Sequence, residues 1–152
     1  MDDERVLLAM KKKGFGAGKW NGVGGKINSG ETPEEAVIRE TGEEVKVKPL
    51  SIAKVADIRF YFHNEADASD REGHHVAVYT CNKWDGVPRE SDEMKPQWFK
   101  RTELPFEGMW AADRRWVPIV LDGKILQVEV LFDKKGSGVL DYSATERKRV
   151  KR

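Results

Sequence analysis

The feature that most restricts how this chain can fold is a clearly signalled helix start at Thr32 and Pro33. Thr32 is a favourable N-cap residue, and proline suits the first helical position because its N–H has no partner there in any case. Glu35 lies three residues after Thr32, so the two side chains can form a capping box. The pattern predicts a helix over residues 33–45.

Three glutamates share one side of this helix, because Glu40, Glu43 and Glu44 are spaced by three and four residues. Like charges at these spacings repel by about a few tenths of a kcal/mol per pair, and anions near a helix C-terminus oppose its dipole. Arg39 can pair with Glu35 or Glu43, but a hard divalent ion such as Mg²⁺ or Mn²⁺ would satisfy the cluster better. A solvated glutamate face is the alternative, and for an arbitrary glutamate-rich helix it is the favoured one.

The segment before the helix is rich in glycine, with seven glycines between positions 14 and 30. Gly22, Gly24 and Gly25 allow a backbone to approach a ligand closely, so the loop could cradle phosphate. It is not a Walker loop, because Gly25-Lys26 is followed by Ile27, and it does not match GxGxxG. Because this loop lies directly before the acidic helix, a site for phosphate and metal is favoured here over a solvated glutamate face.

The rest of the chain shows short strands and one further helix. Apolar runs and alternation predict strands at 6–10, 51–62, 75–81, 98–99 and 125–132, and a helix at 113–121 that contains Pro118. The polar segment 64–73 is expected to be a loop. Strands on both sides of a central helix indicate a layered α/β or α+β domain.

Composition sets the outer limits on function. The chain has 152 residues, about one domain, with 39% hydrophobic and 35% charged residues, which is typical of a globular protein. Its apolar runs are too short to span a bilayer, and its acidic start lacks the basic residues of a signal or mitochondrial presequence. The single cysteine, Cys81, cannot form an internal disulfide. We therefore expect an intracellular, cytoplasmic protein.

A net charge of +1 gives the chain no strong attraction to nucleic acid or membranes. Basic residues concentrate at 147–152, which we interpret as a solvated tail after a single domain of residues 1–146. A nuclear localisation signal or a nucleic-acid contact are the alternative roles for this tail.

The spacing of Gly25, Glu31, Arg39-Glu40 and Glu43-Glu44 resembles the Nudix box over almost its whole length. Thr41 and Lys46 stand where the pattern has an apolar residue and a glycine. The resemblance implies a Nudix fold, in which helices sandwich a mixed β-sheet. The relatives have one more strand ahead of residues 6–10, so the first strand of that fold is expected to be lacking here or replaced by another segment.

Segments 11–22, 90–94 and 104–106 resemble the animal MutT homologues, which hydrolyse oxidised purine nucleoside triphosphates. The resemblance implies a metal site formed by Glu40, Glu43, Glu44, Glu93 and the backbone of Gly24 or Gly25. Glu44 is the first choice as general base and Glu93 the second, and Arg39 would hold the glutamates by salt bridges. Lys11 and Lys26 would contact the phosphates.

The same resemblance implies a base pocket formed by Phe15, Asn21, Val23, Phe60, Phe62, Trp110 and Asp113. Asn21 offers both a donor and an acceptor, and Asp113 can accept or, when protonated, donate. Without the resemblance, most of these aromatic residues would be interpreted as core. Ala112 replaces the first of two adjacent aspartates, so we expect a base preference that differs from the family pattern. Val23 replaces a phenylalanine of the relatives, and His74-His75 have no recognised counterpart.

We therefore expect a monomeric, metal-dependent pyrophosphohydrolase without an obligate protein partner. Its substrates would be purine nucleoside triphosphates such as 8-oxo-dGTP or 2-hydroxy-dATP, cleaved to the monophosphate and pyrophosphate to cleanse the nucleotide pool. The alternatives are a Nudix hydrolase of another nucleoside diphosphate derivative and a weakly catalytic module that binds nucleotide or RNA.

Overall fold

The computed structural model describes residues 1–24, 27–63 and 73–148. Its elements in chain order are strand β1 (Arg5–Lys11), strand β2 (Trp20–Asn21), helix α1 (Pro33–Val45), strand β3 (Lys48–Phe62), strand β4 (Gly73–Asp85), strand β5 (Met94–Lys100), a 3₁₀ turn (Phe106–Gly108), helix α2 (Asp113–Leu121), strand β6 (Ile125–Phe132) and strand β7 (Val139–Arg147). Both predicted helices and all five predicted strands are present. None of the helices in the described ranges is long and apolar enough to cross a membrane.

The chain divides into two compact units, the first made of Met1–Ala53 with Thr80–Met109 and the second of Lys54–Tyr79 with Trp110–Arg152. The first unit contains α1 and an antiparallel sheet in the order β2-β1-β5. Strand β1 is central in this sheet, and Ala9 on it is fully buried against Val45, Val47 and Met94. This small core fixes the C-terminal end of α1 against the sheet.

Helix α1 begins with the predicted capping box. The hydroxyl of Thr32 accepts from the N–H of Glu35 at 3.1 Å, and the Glu35 carboxylate accepts from the N–H of Thr32 at 3.2 Å. At the other end, Lys46 adopts the left-handed conformation (φ 64°), and its N–H donates to the carbonyl of Gly42. This is the position where the Nudix pattern has glycine, because glycine reaches positive φ without a Cβ clash. The Nζ of Lys46 also donates to the carbonyl of Glu43 at 2.9 Å. This contact places a positive charge beside the partial negative charge of the helix C-terminus.

The four-stranded sheet has the order β4-β3-β6-β7 and is mixed, because β6 pairs in parallel with β3 and antiparallel with β7. Strands β3 and β4 each contribute residues to both units. In the second unit, alternate residues of β6 are buried, and helix α2 packs against this strand. Pro118 lies inside α2, yet the helix continues to Leu121.

Four of the five predicted strands are longer in the structure, and the fifth, β6, has the predicted bounds. Two further strands, β2 and β7, are not predicted by the sequence pattern. The short β2 has no periodicity to detect, and β7 is mostly exposed, so it lacks the alternation that marks a half-buried strand. Arg147, the first residue of the predicted tail, belongs to β7 and pairs with Ile125. Gly25, Lys26, residues 64–72 of the predicted loop and residues 149–152 of the predicted tail lie outside the described residues.

Candidate active site

Arg39 joins helix α1 to the residue just before its N-cap. Its Nε and Nη2 donate to the two carboxylate oxygens of Glu31 at 2.7 and 3.0 Å, and its Nη1 donates to Glu40 at 2.8 Å. The same Nη1 lies 3.3 Å from Glu43. Hydrogen bonding to Arg39 is the largest cause that lowers the pKa of Glu31, to about 2. Arg39 thus holds three carboxylates, including the predicted partner Glu43.

Glu44 is the buried member of the acidic cluster, with a relative exposure of 6%. One of its oxygens, Oε2, finds no hydrogen-bond partner among the described residues. Burial, followed by the negative charge of Glu40, raises the pKa of Glu44 from its ordinary 4.5 to about 7, and the charge of Glu93 adds to the shift. A hydrogen bond from the N–H of Gly24 opposes it. The glutamate predicted as general base is therefore adjacent to three of the predicted metal-site residues.

The surroundings of these glutamates show whether the residues present fit the predicted divalent ion. Within the described ranges, no three His, Cys, Asp or Glu side chains are already arranged around a metal position, and Glu43 is largely exposed and bonded to Arg39. The donor chemistry nevertheless fits, because the buried Oε2 of Glu44 lacks a partner, and the neighbouring charges of Glu40 and Glu93 disfavour its ionisation. A hard cation would remove both penalties.

The backbone around Glu93 is fixed by a serine turn. The Ser91 hydroxyl accepts from the N–H groups of Glu93 and Met94 at 3.3 and 3.2 Å, and the N–H of Lys12 donates to the Glu93 carbonyl at 2.9 Å. Glu93 itself is exposed. The turn therefore joins the start of β5 to the end of β1, where Lys11 lies.

The other predicted residues of the first unit differ in their surroundings. Lys11 is partly buried, and its carbonyl accepts from the N–H of Gly18 at 2.8 Å, which closes the glycine-rich loop on β1. The Asn21 amide donates to the carbonyl of Lys19 at 3.3 Å. Val23 packs against the core of this unit, whereas Phe15 is 60% exposed.

In the second unit, the predicted residues Phe60, Phe62 and Trp110 belong to one aromatic cluster with His74 and Phe132. Phe62 stacks on Phe132 (ring centroids 5.6 Å apart), and Trp110 contacts both rings at 6.3 and 5.7 Å. Phe60 meets Phe62 and Phe132 edge-on at 5.9 and 6.1 Å. The rings pack on the buried core of the unit, so their positions are defined by the sheet.

Asp113 is buried at 9% exposure and is the first residue of α2. Its Oδ1 accepts from the indole Nε1 of Trp116 at 3.2 Å. A carboxylate at this position is also favoured by the positive end of the helix dipole. Ala112, which replaces the family aspartate, is the N-cap of α2 and belongs to the hydrophobic core at 2% exposure.

The structure thus groups the predicted carboxylates, Arg39 and Gly24 in the first unit, and Phe60, Phe62, Trp110 and Asp113 in the second. Glu31 has no role among the residues predicted from sequence, although its position in the Nudix spacing and the pairing capacity of Arg39 both indicate one. Phe132 and the ring contact of His74 are also absent from that prediction, because they depend on strand pairing that a local pattern does not contain.

Known proteins of one family are similar to this chain. The NUDIX domain family matches residues 1–119. The chain is 47% identical over 120 residues to the oxidized purine nucleoside triphosphate hydrolase of Danio rerio, covering 79% of this chain and 74% of the relative. It is 38% identical over 146 residues to the protein of the same name from Mus musculus, covering 96% and 90%.

Among solved structures, the MutT protein from Bacillus halodurans superimposes with a TM-score of 0.79 at 24% identity, covering 95% of this chain and 92% of that one. This likeness supports the fold alone. The family match spans more than half of the chain, and two relatives exceed 30% identity over most of it. The chain belongs to the Nudix family.

Proposed function

We propose that this protein is a metal-dependent pyrophosphohydrolase that converts oxidised purine nucleoside triphosphates, such as 8-oxo-dGTP or 2-hydroxy-dATP, to the monophosphate and pyrophosphate. The relatives from Danio rerio and Mus musculus are named for hydrolysis of such nucleotides. The observation that carries the proposal is the environment of Glu44, a buried carboxylate with a pKa of about 7 beside Glu40 and Gly24.

A base that removes a proton from water works best when its pKa is close to the working pH. Without a bound metal ion Glu44 meets this condition, and it remains our first choice as the base, with Glu93 the second. The hydrogen bond from Gly24 keeps the Glu44 carboxylate next to the glycine-rich loop. In this proposal that loop and Lys11 hold the phosphates near the carboxylate.

A divalent ion, Mg²⁺ by preference, would neutralise phosphate charge and favour ionisation of water. Glu40, Glu43, Glu44, Glu93 and the backbone of Gly24 would hold it, with Mn²⁺ as an alternative ion. Arg39 acts as a positioning residue, because it binds Glu40 and Glu43 while it is anchored on Glu31.

The base would be recognised by apolar and polar groups together. Rings of the aromatic cluster offer stacking surfaces, while Asp113 of the same unit offers a hydrogen-bonding group. Asp113 is restrained by Trp116, so its carboxylate has a defined orientation toward any partner. This combination suits a purine better than a sugar or a flexible polyphosphate chain.

The test is pyrophosphate release with Mg²⁺ from 8-oxo-dGTP, 2-hydroxy-dATP, dGTP and dATP. Glu44→Gln preserves the shape of the side chain and should reduce kcat by about a hundredfold or more. Glu34→Gln is the matched control, because Glu34 lies in the exposed first turn of the same helix and should leave kcat nearly unchanged. A folded wild-type protein that hydrolyses none of the four nucleotides would contradict the proposal.

A further inference from the structure

An ion pair extends the contact between strands β1 and β5 beyond the end of their pairing. The last register pair of the two strands is Lys11 with Met94. The next residue, Lys12, donates its N–H to the carbonyl of Glu93 at 2.9 Å, and its Nζ forms a salt bridge with the carboxylate of Glu90. Lys12 therefore holds both ends of the turn that leads into β5, one through its backbone and the other through its side chain.

The preceding residue, Lys11, holds the glycine-rich loop in the same way. Its N–H donates to the carbonyl of Lys19 at 3.1 Å, and its carbonyl accepts from the N–H of Gly18 at 2.8 Å. Two adjacent residues thus fasten two segments of the candidate site, the loop before α1 and the turn that carries Glu93. The contacts of Lys12 fix the position of this turn relative to the loop.

The Glu93 carboxylate depends on the turn for its position. Its backbone is bonded on both sides, since its N–H donates to the Ser91 hydroxyl at 3.3 Å and its carbonyl accepts from Lys12. The side chain itself is exposed, so packing does not hold it. Its charge acts on the buried Glu44, where it adds to the rise in pKa. The place of the turn therefore decides how the Glu93 carboxylate meets the acidic cluster.

The ion pair itself adds little to stability. The side chains of Lys12 and Glu90 are 33% and 52% exposed, and water and salt screen exposed pairs of this kind. Hydrogen bonding to Lys12 is nevertheless the largest cause that lowers the pKa of Glu90, and the charge of Lys95 adds to it. The contact is therefore expected to matter for the geometry of the turn more than for folding.

We propose that Lys12 and Glu90 are positioning residues, whose ion pair holds the Glu93 carboxylate where it can bind the same divalent ion as the glutamates of α1. This inference rests on the proposed function, which places Glu93 among the metal-binding residues. Lys12 and Glu90 touch neither the ion nor the nucleotide, and they act through Glu93. Removal of a residue that orients a metal ligand typically lowers metal affinity or activity by about 10–100-fold.

The experiment is a double-mutant cycle in the full chain, built from Glu90→Gln, Glu93→Gln and the two changes together. Binding of Mn²⁺ without nucleotide is measured by electron paramagnetic resonance, and hydrolysis of 8-oxo-dGTP with Mg²⁺ is measured separately. Glu90→Gln should weaken Mn²⁺ binding by about tenfold when Glu93 is present. It should have no further effect in the Glu93→Gln background, whereas a pair that only supports the fold would have equal effects in both.

Lys12→Gln separates positioning from simple electrostatic attraction. Loss of a cation near the site would strengthen Mn²⁺ binding, and loss of an anion would weaken it, so direct charge effects of Lys12→Gln and Glu90→Gln have opposite signs. Loss of positioning weakens binding in both variants. Lys12→Arg keeps the charge and should retain the affinity. Glu146→Gln is the matched control, because it removes another exposed ion pair, with Lys124 at 3.4 Å, and should change neither binding nor hydrolysis.

The two proposals fail in different ways. Mn²⁺ affinities of Glu90→Gln and Lys12→Gln within about twofold of wild type, opposite effects of the two variants, or equal effects of Glu90→Gln in both Glu93 backgrounds would overturn the positioning role alone. Coupled losses of Mn²⁺ binding in a protein that hydrolyses no nucleotide would overturn only the proposed function. A folded wild-type protein that binds no Mn²⁺ would overturn the positioning role together with the metal site.

Discussion

The guanidinium of Arg39 donates two hydrogen bonds to the carboxylate of Glu31, from Nε to Oε2 at 2.7 Å and from Nη2 to Oε1 at 3.0 Å. Such paired bonds fix the orientation of both groups more strongly than a single contact. The contact spans the start of α1, because Glu31 precedes the N-cap and Arg39 lies in the helix. The orientation of Arg39 toward Glu40 and Glu43 therefore depends on a residue outside the helix.

Glu31→Gln should lower the stability of the protein in a pH-dependent way. The folded pKa of Glu31 is about 2, below its ordinary 4.5, mainly because of Arg39. Its contribution is therefore fully present above pH 4.5 and disappears as the pH falls through about 2. Urea unfolding between about pH 3 and pH 7 should show a difference between wild type and variant that shrinks toward low pH. A difference independent of pH would contradict this assignment.

Glu44 should have the opposite effect on stability in metal-free protein. Its pKa rises from 4.5 to about 7 on folding, so the folded state holds the proton more tightly. This contribution is present below pH 4.5 and is lost as the pH rises through about 7. Thermal unfolding in EDTA should therefore show that wild type loses stability across this range relative to Glu44→Gln.

Addition of Mg²⁺ should reverse that loss, because a bound cation favours the ionised carboxylate. The increase in Tm should be larger at alkaline than at acidic pH for wild type, and small for Glu44→Gln. Equal Mg²⁺ effects on the two proteins would argue against Glu44 as a metal ligand.

Gly136→Ala should displace the aromatic cluster. The new Cβ would lie 2.9 Å from Phe62 and 3.0 Å from Trp110, at a φ of 74°. We expect a loss of about 1–3 kcal/mol in the free energy of unfolding and a higher KM for purine nucleotides. Gly123→Ala is the control, because its φ of 93° carries a similar backbone cost while nothing lies within 4 Å of the added Cβ. Equal losses in the two variants would exclude a specific effect on the rings.

Lys46→Gly should stabilise the protein relative to Lys46→Ala. Both variants lose the hydrogen bond from Nζ to the Glu43 carbonyl, but only glycine removes the Cβ at a φ of 64°. Glycine at a left-handed helix end is expected to be better than alanine by about 1 kcal/mol. Chemical denaturation of the pair measures this difference, and equal midpoints would show that the left-handed turn costs little here.

Ala112→Asp should change base preference while catalysis continues. Ala112 lies next to Asp113 at the start of α2, where the helix dipole favours a negative charge. The site is buried at 2% exposure, so some stability should also be lost. Relative rates across oxidised and unmodified purine triphosphates provide the measurement. Unchanged relative rates would show that a second carboxylate at this position does not affect selectivity.

Local signals were enough to predict parts of this structure. Thr32 and Glu35 are close in sequence, so the capping box and the start of α1 could be predicted, and alternation of apolar residues located β6. Strand β7 could not be predicted from its sequence, because it is held mainly by backbone pairing with β6 and few of its side chains are buried. No hydrophobic pattern records such pairing.

The same distinction applies to the site. The spacing of Glu40, Glu43 and Glu44 marked the acidic cluster, but it did not show that Glu44 alone is buried. That difference arises from packing of α1 on the sheet. The stacking of His74 on Phe60 depends on the neighbouring positions of β3 and β4, which bring together residues separated by a long connection.

The parallel pairing of β3 with β6 also constrains when the aromatic cluster can form as the chain folds. Ala56 pairs with Leu126 and Phe62 with Phe132, so the contacting residues are about seventy positions apart. Closing so long a connection has a high entropic cost, which makes such contacts slow to form. Helix α1 can begin from its own capping box, whereas Phe60, Phe62 and Phe132 meet only after this closure. The aromatic cluster is therefore assembled only after this long-range pairing has formed.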